Sequence, residues 1–326
     1  MNYKYFKQIF IVLLFIAFAM FGQNSQERQR ITKDYDLSKL NNLKEKYSKE
    51  FYKQKNKALL LAAQKGWKIK FTDAKGSHHE LMGVTKEGNP IYYKTLNVDA
   101  AISTRANFLH NNGGLGLNIE GQGMTAYVWD EGLARVTHQE YDGDGGGNRF
   151  SAGDGTTALS AHGAHVMGTI IASGLDAAAK GMAPKAKGIG NDWNNDESEA
   201  ASAAANGMLV SNHSYGYGAE DIPDYYFGAY IEVSRDWDNI MYNAPYYLMV
   251  VAAGNDGEDD ASNSDPLGEN SLYDKLSGRS TTKNNLVVAN GQDAIINTDG
   301  TLDSVLRNPS SSEGPTDDLR IKPDIM

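Results

Sequence analysis

Between Leu37 and Ala63 the apolar positions fall at three- and four-residue steps. Leu37, Leu40, Leu43, Tyr47 and Phe51 come first, and the pattern runs on through Ala58 to Ala63. That spacing predicts one long amphipathic helix, which Gly66 stops. The pattern then shortens to strand-like pieces: GWKIKF at 66–71, HELMGV at 79–84 and PIYYKT at 90–95, the last two parted by the turn KEGN. A helix followed by short strands predicts a small α+β unit.

From about residue 101 the pattern changes again. Apolar runs at 124–129 (MTAYVW), 186–190 (AKGIG), 208–214 (MLVSNHS), 246–254 (YYLMVVAAG) and 286–291 (LVVANG) alternate with helical stretches. Those helices are expected from His162, over 197–207 and around 228–242. Several of the strands are continuously apolar, which means burial on both faces. The prediction is an α/β fold, a parallel sheet with helices on both faces. In such sheets chemistry collects at the carboxyl ends of the strands.

The first residues stand apart. Lys4 and Lys7 precede the apolar run Ile9 to Phe21, which ends among small residues. A membrane span needs roughly 20 apolar residues, so 1–22 reads as a signal peptide, with a short membrane anchor as the alternative. The expected organisation is a signal peptide at 1–22, a propeptide-like α+β segment at 23–100 and the larger domain at 101–326. The mature product is then secreted and extracellular, with no membrane partner after signal removal.

Charge sharpens that division. Residues 1–75 carry 16 Lys and Arg against 6 Asp and Glu, whereas the remainder carries 15 against 35. A basic front segment faces an acidic body, which favours docking of one on the other and argues against nucleic acid as a partner. With no cysteine in the chain, disulfides and thiolate zinc sites are excluded.

Three polar residues sit where the strand-end rule places chemistry. Asp130 ends the first apolar strand, His162 opens a helix with Val166 and Ile170 on its apolar face, and Asn255 follows LMVVAAG directly. A carboxylate that accepts from one imidazole nitrogen holds the tautomer in which the other takes a proton. An amide donates to an oxyanion without changing charge. Acyl transfer is the implied chemistry.

Other readings attach to neighbouring residues. His162 and His165 share a helix face at i, i+3, as a metal pair would, but the glutamate of the usual zinc signature is absent. His165 is therefore expected to be a packed structural histidine, and no metal site is assigned. His78, His79, His110 and His138 are expected on the surface or in loops. The carboxylate-rich stretches 140–148 and 255–265 lack the spacing of a calcium loop and read as solvated loops. No cofactor is required, and calcium is admitted only as a structural ion.

Taken together, these motifs resemble the subtilisin-like serine peptidases, or subtilases. VWDEG resembles the family's Asp-[Ser/Thr]-Gly block, HGAHVMGTI its His-Gly-Thr-His-Val-Ala-Gly-Thr block, and VVAAGNDG its oxyanion block. SNHSYG is similar to the substrate-strand motif and KGMAPKAK to the Gly-x-Ala-Pro-x-Ala segment. SSSEGPTDDLRIKPDI is similar to the segment ending in Lys-Pro-Asp. Six blocks in family order span about 119–325.

The resemblance implies Asp130 as orienting acid, His162 as general base and Asn255 as oxyanion donor. Ser214, Tyr215 and Gly216 would form the substrate-pairing strand, with Ala252, Ala253 and Gly254 as the facing edge. The implied partners are a protein or peptide substrate and the chain's own propeptide. The family's nucleophile follows Lys-Pro-Asp inside Gly-Thr-Ser-Met-Ala, and no Gly-Thr-Ser occurs in these 326 residues. The expectation is therefore a secreted serine endopeptidase represented by a copy that stops before its serine. The alternative is an inactive peptide-binding module that keeps the cleft. Glu131 in place of the usual Ser or Thr adds a charge expected to raise the pKa of Asp130.

Overall fold

The computed structural model describes residues 24–72, 78–95, 104, 106–111, 113–143, 146–176, 179–292, 294–299 and 301–326. The expected signal peptide lies outside the described residues, and so does part of the stretch 140–148. Among the described residues, no helix is long and apolar enough to cross a membrane.

The amino-terminal segment begins with a short helix that the periodicity did not predict, α1 (Ser25–Thr32), followed by α2 (Leu37–Lys65). Asp36 caps α2 by accepting the Lys39 amide at 2.8 Å, and Gly66 ends it in the left-handed region at φ 74°. Three strands follow: β1 (Lys70–Thr72), β2 (His78–Val84) and β3 (Pro90–Thr95). They form an antiparallel sheet.

The body is built on β4 (Thr125–Asp130), β5 (Phe150–Ala152), β6 (Lys187–Asp192), β7 (Val210–His213), β9 (Leu248–Ala252) and β10 (Leu286–Val288). All pairs in this sheet are parallel, in the order β10-β9-β7-β4-β6-β5. Its helices are α3 (Ala161–Ile171), α4 (Asp196–Ala205) and α5 (Glu232–Asn243). Val166, Met167 and Ile171 of α3 pack with Val128 and Phe150 in one core cluster. Alanines of α4 and Trp237, Ile240 and Met241 of α5 belong to a second cluster with Trp129, Met249 and Val251. The fold is the expected α/β arrangement. A short pair, β11 (Ile295–Ile296) and β12 (Leu302–Ser304), stands apart from the main sheet.

The front segment does not stand alone. Leu40, Leu43 and Tyr47 of α2 share the second cluster with Ala200, Ala201 and Ala204 of α4, all of them buried. Alanines let the two helix backbones approach closely, and the larger α2 side chains fill the seam. Tyr47 also donates its hydroxyl to the Asp236 carbonyl at 3.2 Å. The second join is a strand: β3 pairs antiparallel with β8 (Tyr215–Tyr217) of the body, giving a sheet of order β1-β2-β3-β8.

Three histidines depart from expectation. His79 is 2% exposed on β2, its ring stacked on Phe71 at 4.4 Å, because both faces of this strand are covered and Glu80 on the other face is buried as well. His110 is buried, with Nε2 2.8 Å from the Met182 carbonyl oxygen. His165, expected inside, is exposed: the buried face of α3 runs through Gly163, Val166 and Met167, one position away.

Candidate active site

The parallel register explains how distant residues reach one rim. Trp129 lies opposite His213, and His213 opposite Val251, across β4, β7 and β9. One position further toward the carboxyl ends stand Asp130, Ser214 and Ala252, so these three occupy the same row. Asn255 follows three residues after the end of β9, in the turn at that edge.

His162 arrives from α3. Ser160 caps the helix by accepting the Gly163 amide at 2.9 Å, and its hydroxyl donates to Glu131 Oε1 at 2.5 Å. The helix start is thereby tied to the turn that follows β4. The approach is close enough that a Cβ on Gly163 would meet the Gly132 carbonyl oxygen at 2.3 Å, which accounts for glycine directly after His162. His162 Nδ1 lies 2.7 and 2.9 Å from the two Asp130 oxygens. Asp130 also accepts the Glu131 amide at 2.8 Å. The carboxylate side chain is 1% exposed and the imidazole 13% exposed.

Burial pushes the Asp130 carboxyl up from its ordinary value. The His162 hydrogen bond, the imidazolium charge and the Glu131 amide pull it back, and the Glu131 charge pushes it up again, least of all. Glu131 therefore acts in the expected direction, but desolvation dominates. A carboxylate held against Nδ1 makes Nε2 the ring's proton-accepting atom, the requirement for a general base.

The turn carrying Asn255 is clamped from behind. Gly254 has φ 125°, and a Cβ there would meet Ser312 Oγ at 2.4 Å. Ser312 donates its amide to the Gly254 carbonyl at 3.1 Å and accepts the Asp256 amide on Oγ at 3.0 Å. Residues 254–257 thus rest on the Ser310–Ser312 stretch, with the Gly257 amide 2.9 Å from the Ser310 carbonyl.

Tyr215 and Gly216 line a narrow cavity opposite Ala252, Ala253 and Gly254, so the two expected substrate edges face one another. One edge of β8 is covered by β3. Thr95 lies opposite Tyr215, Lys94 opposite Gly216 and Tyr93 opposite Tyr217.

Sequence reasoning passed over Ser160 and Ser312. The first had a local signal, a serine directly before an apolar helix. The second had none, because its contacts span 56 residues or more. Carboxylates of the two acidic loops have other work. Glu140 accepts the amides of Gly174, Leu175 and Asp176, Asp259 closes its own turn on Ala261 and Ser262, and Asp260 pairs with Lys275 at 3.0 Å. Among the described residues, the one trio of metal-ligand type with ligand atoms within 4.8 Å of each other is His79, Glu220 and Asp221, none of them from either loop.

Comparison with known proteins adds the following. A family model described as the subtilase family matches residues 78–326. No curated protein matches. Among solved structures, the chain is similar to the CspB protease of Clostridium perfringens at 18% identity and a TM-score of 0.36, covering 50% of this chain and 41% of that one. It is also similar to MycP1 from Mycobacterium smegmatis at 18% identity and a TM-score of 0.37, covering 68% and 65%. A third is the MycP3 protease from a type VII secretion system, at 16% identity and a TM-score of 0.38, covering 71% and 69%.

Proposed function

The chain belongs to the subtilase family, and from that premise we propose that it serves as a secreted serine endopeptidase acting through an acyl-enzyme. Asp130 orients His162 and stabilises its imidazolium, and His162 takes the proton of the attacking hydroxyl and returns it to the leaving amine. Asn255 donates to the oxyanion. The substrate lies extended between Ser214–Gly216 and Ala252–Gly254, held through its main chain. The reaction so read requires no cofactor, and calcium would have a structural part alone.

The observation that carries this reading is the pair of short contacts between Asp130 and His162 Nδ1 at a strand-end rim. The pairing of β3 with β8 supports a second element, an amino-terminal segment acting as the chain's own propeptide. It pairs with one edge of the strand read here as the substrate's partner, and an edge takes one occupant at a time.

The attacking serine is not assigned to any of residues 1–326, where Gly-Thr-Ser does not occur. The pairing of β8 with an extended segment also fits a second reading, a peptide-binding module without hydrolysis. The test is cleavage of an internally quenched peptide by the product of the complete coding sequence, beside its His162→Ala variant. Cleavage lost in the variant supports the peptidase. Peptide binding without cleavage in either protein supports the module.

A further inference from the structure

Tyr92 and Tyr93 point to opposite faces of β3, as strand alternation requires. Tyr92 packs within the amino-terminal segment, among Ala58, Leu81 and Val84, and donates its hydroxyl to the Lys68 carbonyl at 2.7 Å. Tyr93 leaves its own segment and enters the body. Its ring lies 5.8 Å from Trp193 in an edge-on contact, 5.6 Å from Tyr215 and 5.8 Å from Tyr217. The Arg279 guanidinium sits over its face with Cζ 4.4 Å from the ring centre, and Arg279 Nη2 donates to the Tyr93 hydroxyl oxygen at 2.6 Å.

The walls of this box belong to the body and are held by it. Arg279 Nη2 also donates to Asp196 Oδ2 at 2.7 Å, and both side chains are sealed, at 2% and 4% exposed. Tyr215 donates its hydroxyl to the same Asp196 oxygen at 2.7 Å. Behind them the chain of polar groups continues. His213 Nδ1 lies 2.9 Å from the Tyr215 hydroxyl, and Ser211 Oγ lies 2.8 Å from His213 Nε2 and 2.7 Å from the Tyr247 hydroxyl. Burial first, and the Arg279 charge second, hold His213 neutral. One direction of donation therefore satisfies the run: Tyr247 to Ser211, Ser211 to His213, His213 to Tyr215, and Tyr215 to Asp196.

We propose that Arg279, held by Asp196, is a specificity-determining residue that selects a tyrosine in the extended peptide paired with β8, at the position opposite Tyr217. The inference rests on the reading of β8 as the substrate strand. In this structure the selected residue is Tyr93 of the chain's own amino-terminal segment, and the substrate would present the same chemistry. The reason is the inventory of donors. Nη2 has two hydrogens, one spent on Asp196 and one on the phenolic oxygen. Arg279 Nε finds no partner among the described residues. A phenylalanine in the box would leave a further N–H of this buried cation unpaired, a penalty no apolar contact offsets. An aliphatic residue would also lose the cation–π contact.

The test uses the full chain carrying Tyr93→Ala with Lys94→Pro, which takes the ring out of the box and an amide out of the β3–β8 ladder, so that an added peptide can displace β3 while the body is unchanged. Labelled peptides PIYYKT, PIYFKT and PIYAKT are titrated by fluorescence anisotropy. The tyrosine peptide is expected to bind about tenfold or more tighter than the phenylalanine peptide, and the alanine peptide weakest. Adding Arg279→Met should erase the preference for tyrosine over phenylalanine. Arg279→Lys is the fallback if the methionine variant does not fold, since it keeps a cation beside Asp196 but lacks the fork, and it should narrow the same gap. Equal binding of all three peptides, or a tyrosine preference that survives both Arg279 variants, overturns the selection while leaving β8 as a general peptide site. Binding by none of the peptides overturns both.

Discussion

Two of this molecule's buried pairs, Asp130–His162 and Arg279–Asp196, are built to opposite ends. Asp130–His162 joins a strand end to a helix start 32 residues later, with the acid sealed and the imidazole partly open. Arg279–Asp196 joins residues 83 apart and is closed on both sides, its other side-chain hydrogen bonds and its cation–π contacts going to Tyr93 and Tyr215. The first leaves its imidazole partly exposed at the strand-end rim, at 13%. The second has no such opening, so its charge works on whatever side chain is brought to it. The difference teaches that burial of both partners suits recognition and architecture, and burial of one suits proton transfer.

Removing the open pair's base should have the largest effect on chemistry. In the product of the complete coding sequence, His162→Ala is expected to lower peptide hydrolysis by at least about 10³-fold while circular dichroism stays unchanged. Unchanged turnover would reassign the base. The sealed pair should respond in stability instead. Arg279→Met strands a buried carboxylate and is expected to cost about 3–5 kcal/mol in denaturant unfolding, part of which Arg279→Met with Asp196→Leu should restore. A single variant no less stable than the parent would show that Asp196 is not desolvated as described.

Asn255→Leu comes next. Loss of one oxyanion donor costs a subtilisin about 2.7–4 kcal/mol in the barrier, a figure carried over from that family member, and a comparable fall in kcat is expected here. A change below about threefold would remove Asn255 from the site.

A pH dependence is expected at a part-buried acid. Burial pushes the Glu199 carboxyl up to about 8, against the lowering effect of Trp129, whose Nε1 donates to it at 3.0 Å. The folded state thus holds a proton that the unfolded chain releases near pH 4.5. Its contribution to stability is fully present below that pH and is lost as pH rises through about 8. Glu199→Gln should therefore raise the melting temperature at pH 9 more than at pH 5. An equal shift at both would mean that Glu199 is ionised throughout.

Much of the open pair was legible because its determinants are local. Asp130 closes an apolar run and His162 opens another, each within a few residues of the pattern that marks it. The long α2 was legible for the same reason, as a stripe that Gly66 ends. The sealed pair was not. Arg279 sits in the polar stretch SGRSTT, which has no periodicity, and it meets Tyr93 across 186 residues. The strand β3 could be read as PIYYKT, but nothing in those six residues says that its partner is β8. The strand β5 is three residues long, too short for alternation to show, and α1 has no buried residue to make a stripe. His165 was misjudged because i+3 spacing alone does not tell which edge of α3 turns inward.

The claim on which the functional account stands is that Asp130 holds His162 with its proton on Nδ1. Long-range ¹⁵N–¹H correlation spectra of histidine-labelled protein, with His162 assigned by its absence in His162→Ala, report the ring tautomer without any need for turnover. At neutral pH the account predicts a protonated Nδ1 and an unprotonated Nε2, with Asp130→Asn reversing the two. A ring protonated on Nε2 in the parent protein would contradict it.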